Sequence, residues 1–139
     1  MAGTIVRMPA AIEITASAIS LNVADPDASA TFVTEHLGFT TEMSADGFHS
    51  LSRTDAGFNL IFLRTGLSTF KPEAQKGHAG GLLVVFVVRD IDADYQRLVE
   101  RGIEITTPLQ TEPWGERFFQ VTDPNGIVFQ LVQWVTESD

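Results

Sequence analysis

The chain has 139 residues, 18 of them acidic and nine basic, so its formal net charge at pH 7 is −9. Charge of this sign opposes binding to nucleic acids and to anionic membranes, because both are negative themselves. The absence of cysteine excludes disulfides, thiolate metal sites and thiol catalysis. No run of about 18 apolar residues and no secretory signal stands in the sequence. We therefore expect a cytoplasmic protein with neither nucleic-acid nor membrane partners.

An internal repeat relates the two halves of the chain, at an offset of 65 residues for the first strands and helix starts and 64 for the glycines that follow the helices. Each copy has an apolar segment ending in valine and aspartate, then a helical stretch and a glycine: Val23, Asp25 and Gly38 in the first, Val88, Asp90 and Gly102 in the second. The aspartate can accept hydrogen bonds from the first turn of the helix. The glycine can take the left-handed backbone that ends one. The repeat indicates a duplicated module.

The elements follow the repeat in chain order. Ile19–Val23 predicts a strand, residues 27–36 a helix, and residues 48–53 and 58–63 strands. Residues 82–88 predict another strand, 91–101 a helix, and 117–122 and 127–134 the closing strands. The turns Asp55–Gly57 and Asp123–Gly126 link strands as hairpins. The predicted order of elements in each half is therefore β-α-β-β-β. We expect one domain over 1–139, with modules at about 17–63 and 82–134 joined by a loop at 64–80.

Four short motifs carry a resemblance to a known family: Leu21-x-Val23-x-Asp25, Leu37-Gly38-Phe39, Trp114-Gly115-x-Arg117 and Asp123-Pro124-Asn125-Gly126. In this order, and over about residues 17–134, they resemble the glyoxalase/bleomycin-resistance/dioxygenase (vicinal oxygen chelate) superfamily. The resemblance implies an α+β fold in which two tandem βαβββ modules form an open, eight-stranded, barrel-like sheet. Helices would lie outside this sheet, and a cleft would lie at its centre.

Strand alternation then assigns residues to the cleft, because successive side chains point to opposite faces of a sheet. Ile19, Leu21 and Val23 are expected to pack on the helices. The fifth strand is apolar throughout, so we expect cover on both of its faces. The predicted cleft residues are Ser20, Asn22, Asn59, Ile61, Leu83, Val85 and Gln130.

The resemblance also implies where the ligands of a metal site would lie. In metal-using relatives, the ligands would fall at positions that carry Ala18, Ile61, Leu83 and Gln130 here. Three of these side chains have no donor atom, and a neutral amide is a poor ligand for iron, manganese, nickel or zinc. We therefore predict neither a metal nor another cofactor, and no catalytic residue.

Other polar and aromatic residues leave two interpretations open. His49 on a predicted strand either lines the cleft or forms a structural hydrogen bond, whereas His36 and His78 are expected to be structural or exposed. Trp114 could stack on a planar ligand, or could belong to the core or to a dimer interface. Arg117 could contact a ligand or a structural acidic partner. Glu112 and Glu116, near Trp114, could do acid–base work, but the preferred interpretation is that they are solvated loop carboxylates.

Two functional hypotheses follow. The first is a metal-free binding protein of the bleomycin-resistance type, a homodimer that sequesters a small molecule such as a cationic drug or antibiotic. An apolar cleft with a few polar groups suits an organic ligand. The alternative is a glyoxalase-like lyase or isomerase, or a dioxygenase, on the same scaffold. The missing metal ligands favour the first hypothesis.

Overall fold

A computed structural model describes residues 12–67 and 77–135. Residues 1–11, residues 68–76 of the predicted loop 64–80, and residues 136–139 lie outside the described residues. Within the described ranges the order is β1 (Ala18–Val23), α1 (Pro26–Leu37), β2 (Thr40–Ala45), β3 (Phe48–Ser52), β4 (Asn59–Arg64), β5 (Val84–Val87), α2 (Ile91–Glu100), β6 (Ile105–Thr111), β7 (Glu116–Thr122) and β8 (Val128–Trp134). The predicted α+β class with two βαβββ modules is confirmed.

The strands form two separate four-stranded sheets, one in each module. Sheet 1 has the order β1-β4-β3-β2, and sheet 2 has the equivalent order β5-β8-β7-β6. In each sheet the first strand is parallel to the last strand of its module, and the other pairs are antiparallel. Neither sheet closes on itself, so the architecture is open, as expected.

Each helix end lies within one residue of its prediction: α1 covers Pro26–Leu37 where 27–36 was expected, and α2 covers Ile91–Glu100 where 91–101 was expected. Asp25 accepts a hydrogen bond from the Ala28 amide at 3.3 Å, and Asp90 accepts one from the Ala93 amide at 3.2 Å. Gly102 has a φ of 74°, a left-handed conformation that L side chains rarely adopt. Neither α1 nor α2 is long and apolar enough to cross a bilayer.

The first strand of the second module differs from its prediction. The strand β5 covers only Val84–Val87, although the apolar run extends over 82–88. The expectation that both of its faces are covered is wrong for the single chain, since Val85 is 41% and Val87 67% exposed. The run is apolar on both faces, but the core covers only the face that carries Val84 and Phe86.

The hydrophobic core lies between the sheets and the helices. Its largest fully buried side chains come from alternate positions of the strands and include Leu21, Leu51, Leu60, Phe62, Phe119 and Phe129. Phe32 of α1 stacks on Phe129 of β8 with ring centroids 5.9 Å apart, so the helix of one module packs on a strand of the other. Alternation leaves the opposite side of each sheet, the cleft face, with the remaining side chains.

A buried hydrogen bond also joins the two modules. Ser29 of α1 is fully buried and donates to the Asp123 carboxylate, in the β7–β8 turn, at 2.6 Å. The other carboxylate oxygen of Asp123 accepts from the amides of Asn125 and Ile127. Asn125 in turn donates to the Asp25 carbonyl and to the Ser29 hydroxyl, both at 2.7 Å. We call this group the Ser29–Asp123 contact, and it leaves no buried polar side chain there without a partner.

We predict that Ser29→Ala lowers the free energy of unfolding by about 1–3 kcal/mol, because one oxygen of a buried carboxylate loses its partner. Urea denaturation followed by circular dichroism measures the change. Thr34→Ala is the matched control, since the Thr34 hydroxyl bonds only to an exposed carbonyl of the same helix. Equal stability of the Ser29→Ala variant and the control would contradict the assigned role.

Candidate functional site

The cleft face of sheet 1 carries four of the predicted site residues. Ser20 of β1 pairs in register with Ile61 of β4, and Asn22 with Leu63. Asn59 lies opposite Ala18 on the same face. These side chains are more accessible than the buried Leu21, Leu60 and Phe62 that alternate with them. The strands therefore bring Ser20, Asn22, Asn59 and Ile61 together on one face, as predicted from alternation.

The cleft face of sheet 2 carries a second group. Val85 of β5, Gln130 of β8 and Gln120 of β7 stand in one row across the sheet. Gln130 is only 7% exposed, whereas Val85 at the edge is open to solvent. Leu83 precedes β5 and is 43% exposed. The face thus has a buried polar centre beside an accessible apolar edge.

A chain of hydrogen bonds crosses the cleft face of sheet 2 and ends on a carboxylate. Thr107 donates to Gln120 at 2.8 Å, and Gln120 donates to Gln130 at 2.8 Å. Gln130 then donates to Glu116 Oε2 at 3.1 Å. The indole N–H of Trp114 donates to Glu116 Oε1, also at 3.1 Å. Every donor points toward Glu116, so the chain fixes the orientation of both amides and concentrates negative charge at one point.

Two tryptophans flank this carboxylate. Trp114 lies in the β6–β7 turn and is 65% exposed, and Trp134 pairs in register with Glu116 at the end of β8 and is 57% exposed. Neither ring belongs to the core of the single chain. An indole that is fixed through its N–H beside a carboxylate can offer its ring to a planar, cationic molecule.

Glu116 and Gln120 were not among the predicted site residues. The interpretation of Glu116 as a solvated loop carboxylate is wrong, because it lies on β7, is half-buried and accepts hydrogen bonds at both oxygens. One sequence feature could have identified them, namely the two-residue spacing of Glu116, Phe118 and Gln120. It places them on the same face as Gln130 once β7 and β8 are paired.

His49 and Arg117 lie on the other side of their sheets, toward the helices. His49 of β3 hydrogen-bonds Asp27 in the first turn of α1, with its ring nitrogen 2.5 Å from the carboxylate. Arg117 of β7 binds Asp92 in the first turn of α2 at 2.6 Å. This hydrogen bond holds the pKa of Asp92 below its usual value. The two pairs occupy equivalent places in the repeat, and each connects a helix to its own sheet.

The residues at the family's metal positions do not fit a metal ion. Ile61 and Leu83 provide no donor atom, and both ends of the Gln130 amide are already bound by Gln120 and Glu116. Within residues 12–67 and 77–135, no three His, Cys, Asp or Glu side chains are grouped so that they could hold a metal.

Comparison with known proteins establishes the family. Residues 15–131 match the Glyoxalase/Bleomycin resistance protein/Dioxygenase superfamily. The chain belongs to this superfamily. It is also 40% identical over 50 residues to the Mycobacterium bovis protein Mb0911c, a segment covering 36% of this chain and 33% of that protein. The match thus spans a third of the length of this relative.

Two solved structures illustrate the likeness in fold. A glyoxalase/bleomycin resistance protein/dioxygenase from Nocardioides has a TM-score of 0.72 and 24% identity, over 93% of this chain and 89% of that one. TnmS3, an antibiotic binding protein from Streptomyces sp. CB03234, has a TM-score of 0.68 and 25% identity, over 93% of this chain and all of that one. The first of these similarities bears on the fold alone.

We predict that Gln130→Glu destabilises the chain more at pH 8 than at pH 5. The introduced carboxyl must keep its proton to hydrogen-bond Glu116, so its folded pKa rises above the unfolded value of about 4.3. The contribution of the protonated carboxyl to the stability of the folded chain is then complete below the unfolded pKa. It is lost as the pH rises through the raised folded pKa. We expect the loss relative to the unsubstituted chain to be about 1–2 kcal/mol larger at pH 8.

Urea denaturation at both pH values, with a chelator present, measures this difference. Gln110→Glu is the matched control, because Gln110 also faces a glutamate, Glu112, at 3.3 Å but on the exposed surface. Solvent screening should leave this control nearly independent of pH. The same pH dependence in both variants would contradict the assignment of Gln130 to a half-buried series of hydrogen bonds that ends on Glu116.

Proposed function

We propose that the chain binds a small organic molecule at the cleft face of sheet 2 and holds it chemically unchanged, without a metal ion. The observation that carries this proposal is the Glu116 carboxylate, held by Trp114 and Gln130 next to an accessible apolar edge. A few fixed polar groups within an otherwise apolar surface are typical of sites for organic ligands.

The charge and shape of this surface favour a planar cation as the ligand. Glu116 supplies the negative group, and the Trp114 and Trp134 rings supply flat apolar surfaces beside it. Val85 and Val87 extend that surface along the edge strand. The net charge of −9 also raises the local concentration of cations around the protein. Gln120 and Gln130 cannot easily reorient, so they would select ligands by their hydrogen-bonding groups.

A similar protein supports binding as the function. TnmS3 is described as an antibiotic binding protein, and it matches this chain over nearly its whole length. We infer that the ligand here is a drug or antibiotic, and that tight binding keeps it from its target. The proposed site comprises Trp114, Glu116, Gln120 and Gln130 with Leu83 and Val85. His49 and Arg117 are left outside it, because they face the helices.

We further propose that the chain acts as a homodimer. Its cleft face exposes a group of large apolar side chains, Leu83, Val85, Val87, Trp114 and Trp134. Exposed apolar groups of this kind mark interaction surfaces, and a second copy is the commonest partner. In such a pair, sheet 1 of one chain could cover sheet 2 of the other. The covering surface would be its cleft face, which carries Ser20, Asn22, Asn59 and Ile61. The ligand would then be enclosed between two subunits.

We predict that Glu116→Gln weakens binding of the planar cation 9-aminoacridine about tenfold, which corresponds to ~1.4 kcal/mol. Fluorescence titration at constant salt measures the dissociation constant. Glu112→Gln is the matched control, because it removes the same charge four residues earlier, in the β6–β7 turn, without touching the hydrogen bonds of Glu116. The control should change the affinity less than twofold. Equal losses in the two variants would show that only the overall charge attracts the dye.

A further inference from the structure

The repeat provides two equivalent places where a helix of one module meets a hairpin turn of the other. The first is the Ser29–Asp123 contact. At the second, Asp94 of α2 takes the position of Ser29, and Asp55 takes that of Asp123. A serine can donate to a carboxylate, but two carboxylates repel each other. The second place therefore cannot close with the same hydrogen bond.

The turn at the second place is also shorter. Asp55–Gly57 has one residue fewer than Asp123–Gly126 and has no counterpart of Asn125, which forms three hydrogen bonds across the first contact. Instead, Arg53 binds Asp55 at 2.6 Å and Arg97 binds Asp94 at 2.7 Å. A cavity of about 680 Å³ remains between the turn, the end of α1 and the start of α2. We call it the intermodule pocket.

The intermodule pocket has an apolar base and a charged rim. Its base is formed by Leu37, Phe39, Phe86, Val88, Leu98 and Leu131. Phe86 stacks on Phe129 and Phe58, so the base lies on the helix side of sheet 2, opposite Gln130. The volume lies within the range of about 300–1,000 Å³ that is usual for sites of small organic ligands.

One cation on the rim, Arg89, has no partner among residues 12–67 and 77–135. Asp55 and Asp94 are neutralised by Arg53 and Arg97, and the Asp90 carboxylate accepts from the Ala93 amide. Arg89 makes no hydrogen bond or ion pair with the described residues, and it directly precedes the N-terminal end of α2, where the helix dipole is positive. Burial and the Arg101 guanidinium lower the pKa of His36, so its imidazole is neutral at pH 7.

We propose that the intermodule pocket is a second binding site, which takes a small organic anion with a planar apolar body and a carboxylate directed at Arg89. The apolar body would contact Phe39 and Phe86, and the carboxylate would give Arg89 the charged partner that it lacks. This site does not depend on the function proposed for the cleft. It lies on the opposite face of sheet 2 from the cleft, and it selects a negatively charged ligand where the cleft selects a positively charged one.

Titration of the ¹⁵N-labelled chain with 2-naphthoate, followed by amide chemical shifts in 150 mM salt, tests this proposal. At this ionic strength the Debye length is about 8 Å, which limits repulsion by the distant acidic groups. We expect saturable shifts at Phe39, Ala56, Arg89 and Asp90, and none at Gln120 or Gln130. The neutral amide 2-naphthamide should bind more weakly. Shifts at Gln120 and Gln130 alone, or no saturable shift, would overturn the proposal.

Two variants separate the charge from the cavity. Arg89→Gln should weaken 2-naphthoate binding about three- to fivefold, whereas Arg64→Gln, which removes the same charge from a pair with Asp46 outside the pocket, should not. Ala56→Phe should abolish binding by filling the pocket while Arg89 stays in place. Unchanged affinity in both Arg89→Gln and Ala56→Phe would overturn the assigned site. Binding of 9-aminoacridine monitors the cleft independently and should be the same in all these variants.

Discussion

The buried hydrogen bond from Ser29 to Asp123 is the interaction on which the arrangement of the two modules depends. A carboxylate that is 3% exposed is costly unless each oxygen has a donor, and here Ser29 and two backbone amides supply the donors. The donors come from both modules, so they must stay together for the charge to remain satisfied. Phe32 stacks on Phe129 between the same two modules, and the cleft face of each sheet takes no part in this contact.

Duplication repeated the framework of the module, and divergence of a few residues gave the copies different surfaces. Asp25 and Asp90 begin the helices in the same way, and the pairs His49–Asp27 and Arg117–Asp92 connect them to their sheets in the same way. By contrast, Ser29 is a hydrogen-bond donor in a closed contact, whereas Asp94 lies at an open pocket. The polar chain that ends on Glu116 is a feature of sheet 2, and its donors Gln120 and Gln130 lie on adjacent strands.

Local signals were enough to predict most of the fold. Capping aspartates, terminal glycines and the 65-residue offset identified the helices and their order, because each reports backbone geometry near its own position. The strands β2 and β6 received no bounds from the sequence, since all six residues of β2 are exposed and show no apolar alternation. The face of sheet 1 on which Ser20, Asn22, Asn59 and Ile61 lie followed from alternation alone. The role of Glu116 did not, because it depends on how β7 pairs with β8, and Arg117 could not be placed without knowing its partner Asp92.

Binding of an unchanged ligand by a metal-free dimer is tested most directly by native mass spectrometry of the chain with 9-aminoacridine in the presence of a chelator. We expect a particle of about twice the 15.2 kDa chain mass that carries up to two dye molecules of unaltered mass and no metal ion. A particle of one chain mass with dye bound would contradict the dimer. Loss of the dye on chelation, or release of a product of different mass, would contradict metal-free binding and favour an enzyme.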